Sequence, residues 1–310
     1  MIELSIIIPH YNSADLLKKL LSTIPNIPEV QVIVVDDFST HKLDELEECK
    51  QRYINTNVEF YTNECKKSAG GARNTGLKYT KGKWLLFADA DDYFINGFYD
   101  TVKKYFDKNY DAVYFIPTSI DLRTNKISDR HHNSKILISS YLERPTVRNL
   151  IRMKYKIVGP VSILIRSDIV HKNKIRFDEQ MVANDVMAVI QMAFHAKKVC
   201  ASEEVIYCIT KQDGTLTAVF SKENYDMRKN VFFRKCRYLK ENLPKNEYRK
   251  LHFDARLVLK TVKIYKLGRK EYFSLLKRII KEGVPIWREF SPMYYYDAIH
   301  FLINRDKYLN

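Results

Sequence analysis

The 310-residue chain predicts an α/β fold: an open, mostly parallel sheet with helices on both sides, followed by a mainly helical C-terminal region. Two apolar, β-branched runs, LSIIIPHY and VQVIVVDD, are of the kind that strands buried on both faces require. Between them SADLLKKLLSTI repeats apolar residues at helical spacing behind Ser13, a capping residue type, which completes a β-α-β unit. From about residue 220 nearly every segment reads as helix, including RLVLKTVKIYKL and KEYFSLLKRIIKEG.

The remaining elements follow in order. VEFYTN, KWLLFADAD and DAVYFIPT read as strands; GGARNTGLKYT opens a helix before the second, and GFYDTVKKYFDKN forms one after it. The polar stretch over 121–150, with DLRTNKISDRHHNSK, reads as an irregular insertion. VSILIRSDIV and EVIYCIT then read as strands on either side of a helix, NDVMAVIQMAFHAKK. The change of pattern divides the chain into an α/β unit over 1–218 and a basic helical region over 219–310, and with only 9 Gly and 9 Pro no long flexible linker separates them.

The formal charge of +15 calls for an anionic partner: a phosphorylated ligand, a nucleic acid or an anionic membrane surface. Residues 220–310 hold 22 Lys+Arg against 10 Asp+Glu, so about twelve of those net charges lie in the last third. There they alternate with aromatics, as in NVFFRKCRYLK, KIYKLGRKEYF and MYYYDAIHFLINRDKYLN. Such helices suit a peripheral membrane contact, an anionic glycan, a subunit contact in an oligomer, or a solvated face; no recognition motif supports nucleic acid. The opening MIELSIIIPHYN lacks a signal-peptide pattern, and no stretch approaches the ~20 apolar residues of a membrane span. Five cysteines, odd in number and without C-x-x-C or zinc spacing, fit a reduced cytoplasmic setting, with the inner membrane face within reach.

In open α/β sheets ligands gather at the carboxyl ends of strands, and here those ends carry unusual residues. The first gives Pro9, His10, Tyr11 and Asn12; the second gives Asp36 and Asp37; WLLFADADDYF gives Asp89, Asp91 and Asp92; and Arg73 sits near the start of the helix ahead of it. Three carboxylates placed together repel unless a cation neutralises them, and oxygen ligands suit Mg²⁺ or Mn²⁺ with nucleotide phosphates. The alternative is that Asp91 and Asp92 cap the next turn. Neither a G-x-G-x-x-G fingerprint after the first strand nor a G-x-x-x-x-G-K-[ST] loop occurs, which disfavours dehydrogenases and P-loop enzymes. Tyr11 reads as a base-stacking ring or as core, Asp37 as a base acceptor or as a turn residue, His10 as filler, and His131-His132 as a solvated pair.

SIIIPHYNSADLLKKLLSTI, VQVIVVDDFST, SAGGARNTGLKYTKGKWLLFADADD and NDVMAVI, in this order, resemble the signature of family 2 inverting glycosyltransferases of the GT-A fold over roughly residues 3–215. The resemblance implies that Asp91 binds a divalent metal and Asp89 lies towards the ribose and pyrophosphate. It implies that Pro9, Tyr11 and Asn12 line the nucleotide site, that Asp37 bonds a uracil-type base and that Arg73 borders the diphosphate. The family's acidic pair at a helix head matches Asn184-Asp185, which makes Asp185 the catalytic base, and the departure at Asn184 puts acceptor specificity in doubt. Lys211, in CITKQDGTLT, stands where relatives carry Arg or His beside the diphosphate. The expected reaction moves a sugar from a nucleotide donor, of the UDP type, to a glycan or lipid-linked acceptor in surface polysaccharide synthesis. Two other readings compete: a sugar-phosphate nucleotidyltransferase, for which PHYNSAD lacks the Gly-rich loop, and a non-catalytic basic protein on a degenerate transferase fold.

Overall fold

A computed structural model describes residues 1–212, 220–251, 253 and 255–285. The DGTLT of CITKQDGTLT and the run MYYYDAIHFLINRDKYLN lie outside them. The chain begins β1 (Leu4–His10), α1 (Ala14–Ser22), β2 (Val30–Asp36), α2 (Leu43–Arg52), β3 (Val58–Thr62), α3 (Ala69–Lys78) and β4 (Trp84–Phe87). It continues β5 (Tyr93–Phe94), α4 (Phe98–Lys103), β6 (Ala112–Phe115), β7 (Thr118–Asp121), β8 (Lys126–Ile127), α5 (His132–Glu143) and α6 (Val147–Lys156). Then come β9 (Ile163–Arg166), α7 (Ser167–Lys172), α8 (Val186–His195), β10 (Val199–Ser202) and β11 (Tyr207–Lys211). Helices α9 (Lys222–Asn242), α10 (Lys245–Lys250), α11 (Ala255–Ile264) and α12 (Gly268–Glu282) follow.

The main sheet has seven strands in the order β10-β6-β9-β4-β1-β2-β3, all parallel except β9. Successive residues of β1 enter different cores: Ile6 and Ile8 pack with Leu17 and Leu20 of α1, whereas Ile7 packs with Ala188, Val189 and Met192 of α8. Both faces are therefore covered, which is why β1 and β2 read as unbroken apolar runs. Pro9 follows the last β1–β4 pair, Ile7–Phe87, so its missing N–H costs no bond to β4.

Two sequence expectations need correction. The stretch 121–150 is ordered: Asp121 Oδ1 accepts from the N–H groups of Arg123 and Thr124, and Asn125 takes a left-handed φ of 54°. These turn β7 into β8, and α5 and α6 follow. The stretch reads as irregular because α5 buries only Leu137 and Ile138, too few apolar residues to print a helical period. VSILIRSDIV divides into β9 and α7, and EVIYCIT joins a second sheet, β5-β11-β7-β8, that seals the carboxyl end of the first. Edge strand β10, with no continuous apolar run, leaves no comparable signal.

The helical region is attached through shared core. Leu239, Leu243 and Leu251 pack with Ile151 and Tyr155 of α6 and with Ile190 and Ala193 of α8, while Tyr225, Phe233, Leu259, Leu275 and Ile279 form a core of their own.

Candidate active site

The site lies where β1, β2 and β4 end. His10, expected to be filler, is fully buried and ties the first two loops: its Nε2 accepts from the Ser13 N–H at 3.2 Å, which leaves Nδ1–H to donate to Asp36 at 3.0 Å. Ser13 stands at the α1 N-cap position, but its side chain makes no capping bond among the described residues. Asn12, at a φ of 52°, accepts from the N–H groups of Thr40 and His41 and donates its own N–H to Ser39 Oγ, so it fastens the β1 loop to the β2 loop. Between those anchors the Tyr11 ring is 44% exposed, with Lys67 Nζ 4.2 Å from its centroid. An exposed ring beside a cation is suited to stacking, and the core reading of Tyr11 does not apply.

Asp37 is buried, and burial raises its carboxyl above the ordinary value. Its Oδ1 accepts from Asn63 Nδ2 at 2.6 Å and from the Ser68 N–H at 3.0 Å. Ser68 caps α3 through the Gly71 N–H. A Cβ at Gly71 would meet the Lys66 carbonyl at 2.1 Å, and one at Gly70 would meet the Asp178 carbonyl at 2.0 Å, so the loop over 178–184 lies directly on this helix start.

Arg73 joins that loop to the strand ends. Buried under Phe177, its guanidinium donates to Asn184 Oδ1 at 3.0 Å and forms a short ion pair with Asp89, which is itself half-exposed. Asn184 stands where the resemblance expects an acid, and as a neutral acceptor it leaves Asp89 as the one carboxylate paired to Arg73. Asp185 occupies the N-cap of α8, yet its side chain makes no capping bond among the described residues. Burial raises its carboxyl above the ordinary value; Arg73 draws it down and Asp89 pushes it up. A partly buried carboxylate that meets the backbone N–H groups of Asp185 and Val186 and is set among these charged groups is suited to take a proton.

Asp91 and Asp92 divide in role. Asp92 is buried: Oδ1 accepts from the Thr210 N–H at 2.7 Å, and burial with the neighbouring Asp89 and Asp91 charges pushes its carboxyl well up. It pins the second sheet to the first, together with the Tyr207 hydroxyl, which accepts from the Asp89 N–H at 2.8 Å. Asp91 is less buried; burial, then Asp89, raises its carboxyl. Among the described residues no three His, Cys, Asp or Glu side chains converge as a preformed metal cage. A destabilised carboxylate next to a second, half-exposed one fits a hard cation that arrives with phosphate ligands of its own.

The remaining basic candidates separate. Lys211 Nζ faces Asp129 at 3.8 Å, at the end of β11, and is not brought to the acidic cluster. Arg130, which sequence reasoning missed, donates to the Thr210 carbonyl at 2.8 Å and draws the Asp91 carboxyl down. It left no signal because it lies in a segment read as irregular and its partner is 80 positions away. His131 is buried rather than solvated: Nδ1 lies 2.7 Å from Ser119 Oγ, and burial lowers the ring to about 4.

A mostly parallel sheet with carboxylates, an arginine and an exposed ring at its strand ends defines a GT-A type α/β protein. The family model described as Glycosyl transferase family 2 matches residues 5–172, more than half of the chain, and the chain belongs to that family. Among relatives, poly(ribitol-phosphate) β-N-acetylglucosaminyltransferase TarS of Staphylococcus aureus is 26% identical over 93% of this chain and 48% of its own length. The poly(ribitol-phosphate) β-glucosyltransferase of Bacillus spizizenii is 29% identical over 68% of this chain and 33% of its own length. The chain thus spans about half or less of the length of these relatives. The solved structure of S. aureus TarS 1-349 in complex with UDP-GlcNAc covers 100% of this chain and 82% of that one, with a TM-score of 0.64 at 19% identity. Mannosyltransferase PcManGT from Pyrobaculum calidifontis, in complex with GDP-Man and Mn²⁺, covers 97% of this chain and 85% of that one, at 0.57 and 15%.

Proposed function

We propose that the chain is a metal-dependent, inverting glycosyltransferase that moves a sugar from a UDP donor to a hydroxyl of a surface glycan whose backbone carries phosphate. The observation that carries this reading is Asp185, a carboxylate at a helix head that makes no capping bond among the described residues and stands beside the Arg73–Asp89 pair. Family membership supports sugar transfer, and the relatives named for poly(ribitol-phosphate) support the acceptor class.

In this mechanism Tyr11 stacks on the base, Asp37 accepts from a base N–H, and Pro9 and Asn12 shape the wall. Arg73 holds Asp89 towards the ribose and diphosphate, and Lys211, which faces Asp129, is assigned no step. Asp91, with Asp89 beside it, would hold Mn²⁺ or Mg²⁺, which when bound supplies neutralising charge for the departing diphosphate. Asp185 takes the proton from the acceptor hydroxyl as that oxygen attacks the anomeric carbon from the face opposite the diphosphate.

The catalytic unit is assigned to 1–218 and the basic helical region to 219–310, with the reaction at the cytoplasmic side. No helix of the described residues is long and apolar enough to cross a membrane, so contact with a lipid-linked acceptor would be peripheral. Thermal shift with UDP and UDP-sugars, each with Mn²⁺ and with EDTA, tests the reading. Stabilisation by UDP that requires the metal is expected, and its absence would remove the proposal.

A further inference from the structure

A cavity of about 200 Å³ opens beside the acidic cluster, walled by the end of β6, the start of α5, the loop between α6 and β9, and β11. Two cationic residues, Arg130 and Lys156, line it with Asn133 and Ser134, and no acidic residue does so among the described residues. Ser162 also lines it, 3% exposed, with a hydroxyl that has no hydrogen-bond partner among the described residues. Its backbone sits at a φ of 62°, a region costly for a residue with a Cβ, and the Phe115 N–H holds its carbonyl at 3.0 Å. A strained serine with an unanswered buried hydroxyl needs a partner that this cavity does not itself supply.

The cavity communicates with the site through one residue. Thr210 gives its carbonyl to Arg130, its N–H to Asp92 and its hydroxyl to the Asp91 carbonyl. An anion in the cavity would therefore lie next to the carboxylates, kept apart from them by the Arg130 guanidinium. Two cations, a hydroxyl and an amide side chain without a carboxylate are the donors that recognise a phosphodiester.

We propose that this cavity is an acceptor subsite that holds a phosphate of the acceptor chain on Arg130, Lys156 and Ser162, and so presents the neighbouring polyol hydroxyl to Asp185. The inference rests on the transferase reading above and adds to it the residues that select a phosphate-bearing acceptor.

The test uses the full chain, a UDP-sugar donor, a synthetic ribitol-phosphate oligomer and a phosphate-free polyol oligomer. Lys156→Gln and Ser162→Gly are the main variants; glycine takes a φ of 62° without strain, so Ser162→Gly removes the CH2OH group without forcing the backbone to move. Each is expected to raise KM for the phosphate oligomer about tenfold, the size of one charge-assisted hydrogen bond, with KM for the donor unchanged. Inorganic phosphate should compete with the phosphate oligomer in the wild type and less so in Lys156→Gln. Unchanged acceptor KM in both variants, or a rise in donor KM instead, overturns the subsite. Failure of the wild type to bind UDP or transfer sugar at all would instead overturn the transferase reading.

Discussion

The α/β unit and the helical region handle charge in opposite ways. At the strand ends of the first, charge is buried and directed: Arg73 is 5% exposed and holds both Asp89 and Asn184, and Asp92 is 4% exposed against Thr210. In the second it is mostly displayed: Lys222 pairs with Asp226 and Arg237 with Glu282 at the surface, where such pairs contribute little. Desolvated charge is costly unless used, so the contrast places chemistry at the strand ends and leaves the helices support or contact.

The largest effect that would break this contrast is at Asp185. Asp185→Asn keeps shape and burial, so UDP binding should persist while kcat falls about 10²- to 10⁴-fold. Near-normal turnover would move the base elsewhere. In the wild type the base must be ionised and its carboxyl lies above the ordinary value, so the acid limb of kcat should fall at a pH above ~4. A limb at or below that pH would contradict the assignment.

Next comes the contact between α3 and the loop that carries Asn184. Gly70→Ala puts a Cβ 2.0 Å from the Asp178 carbonyl, where backbone must shift. Overpacking of this kind costs about 1–3 kcal/mol, read as a lowered denaturant midpoint, and kcat should fall with it because Arg73 and Asp185 lose their spacing. A stable Gly70→Ala with full activity would show that the loop is not held there. Tyr11→Ala should raise the Kd for UDP about tenfold, by loss of base stacking, and leave stability nearly unchanged because the ring is exposed.

Asp91 sharpens the comparison from the stability side. Its folded carboxyl is raised, so its favourable contribution is complete below the unfolded pKa and is lost as pH rises through the folded one. At neutral pH the ligand-free protein therefore carries a cost there. Asp91→Asn should raise the Tm without ligand by about 1–3 °C at pH 7 and not at pH 3.5, while it removes the metal-dependent response to UDP. A lowered Tm at pH 7 would place Asp91 in the structural class with Asp92.

Much of this was legible in the sequence because buried parallel strands are apolar throughout and end abruptly. WLLFADADD shows where the core stops, and Asp89, Asp91 and Asp185 fall together in space. Asp91 was set apart for metal and Asp92 read at most as a cap, but the partner that fixes Asp92 was not legible, since Thr210 lies more than a hundred positions away. Nor was His10, whose role is set by Asp36 on a neighbouring strand. The hairpin and helices over 121–150 were hidden by polar composition, and with them Arg130.

The smallest expected effect lies where the two regions meet. Arg234, on α9, donates through both terminal nitrogens to both oxygens of Asp178, at 2.9 and 3.0 Å. Asp178 also donates its N–H to the Asn184 carbonyl and lies against Gly70, so the helical region reaches the active-site loop through this bidentate pair. The arginine is 48% exposed, and a pair so placed contributes about 0.2–1 kcal/mol to stability. If α9 only shields the core, Arg234→Gln should change neither Tm nor turnover. If it positions the loop, kcat should fall about two- to fivefold with UDP affinity unchanged, and Arg234→Lys should recover only part of it, because an ammonium cannot grip both oxygens at once. That second outcome would make one displayed charge of the helical region a working part of the buried site.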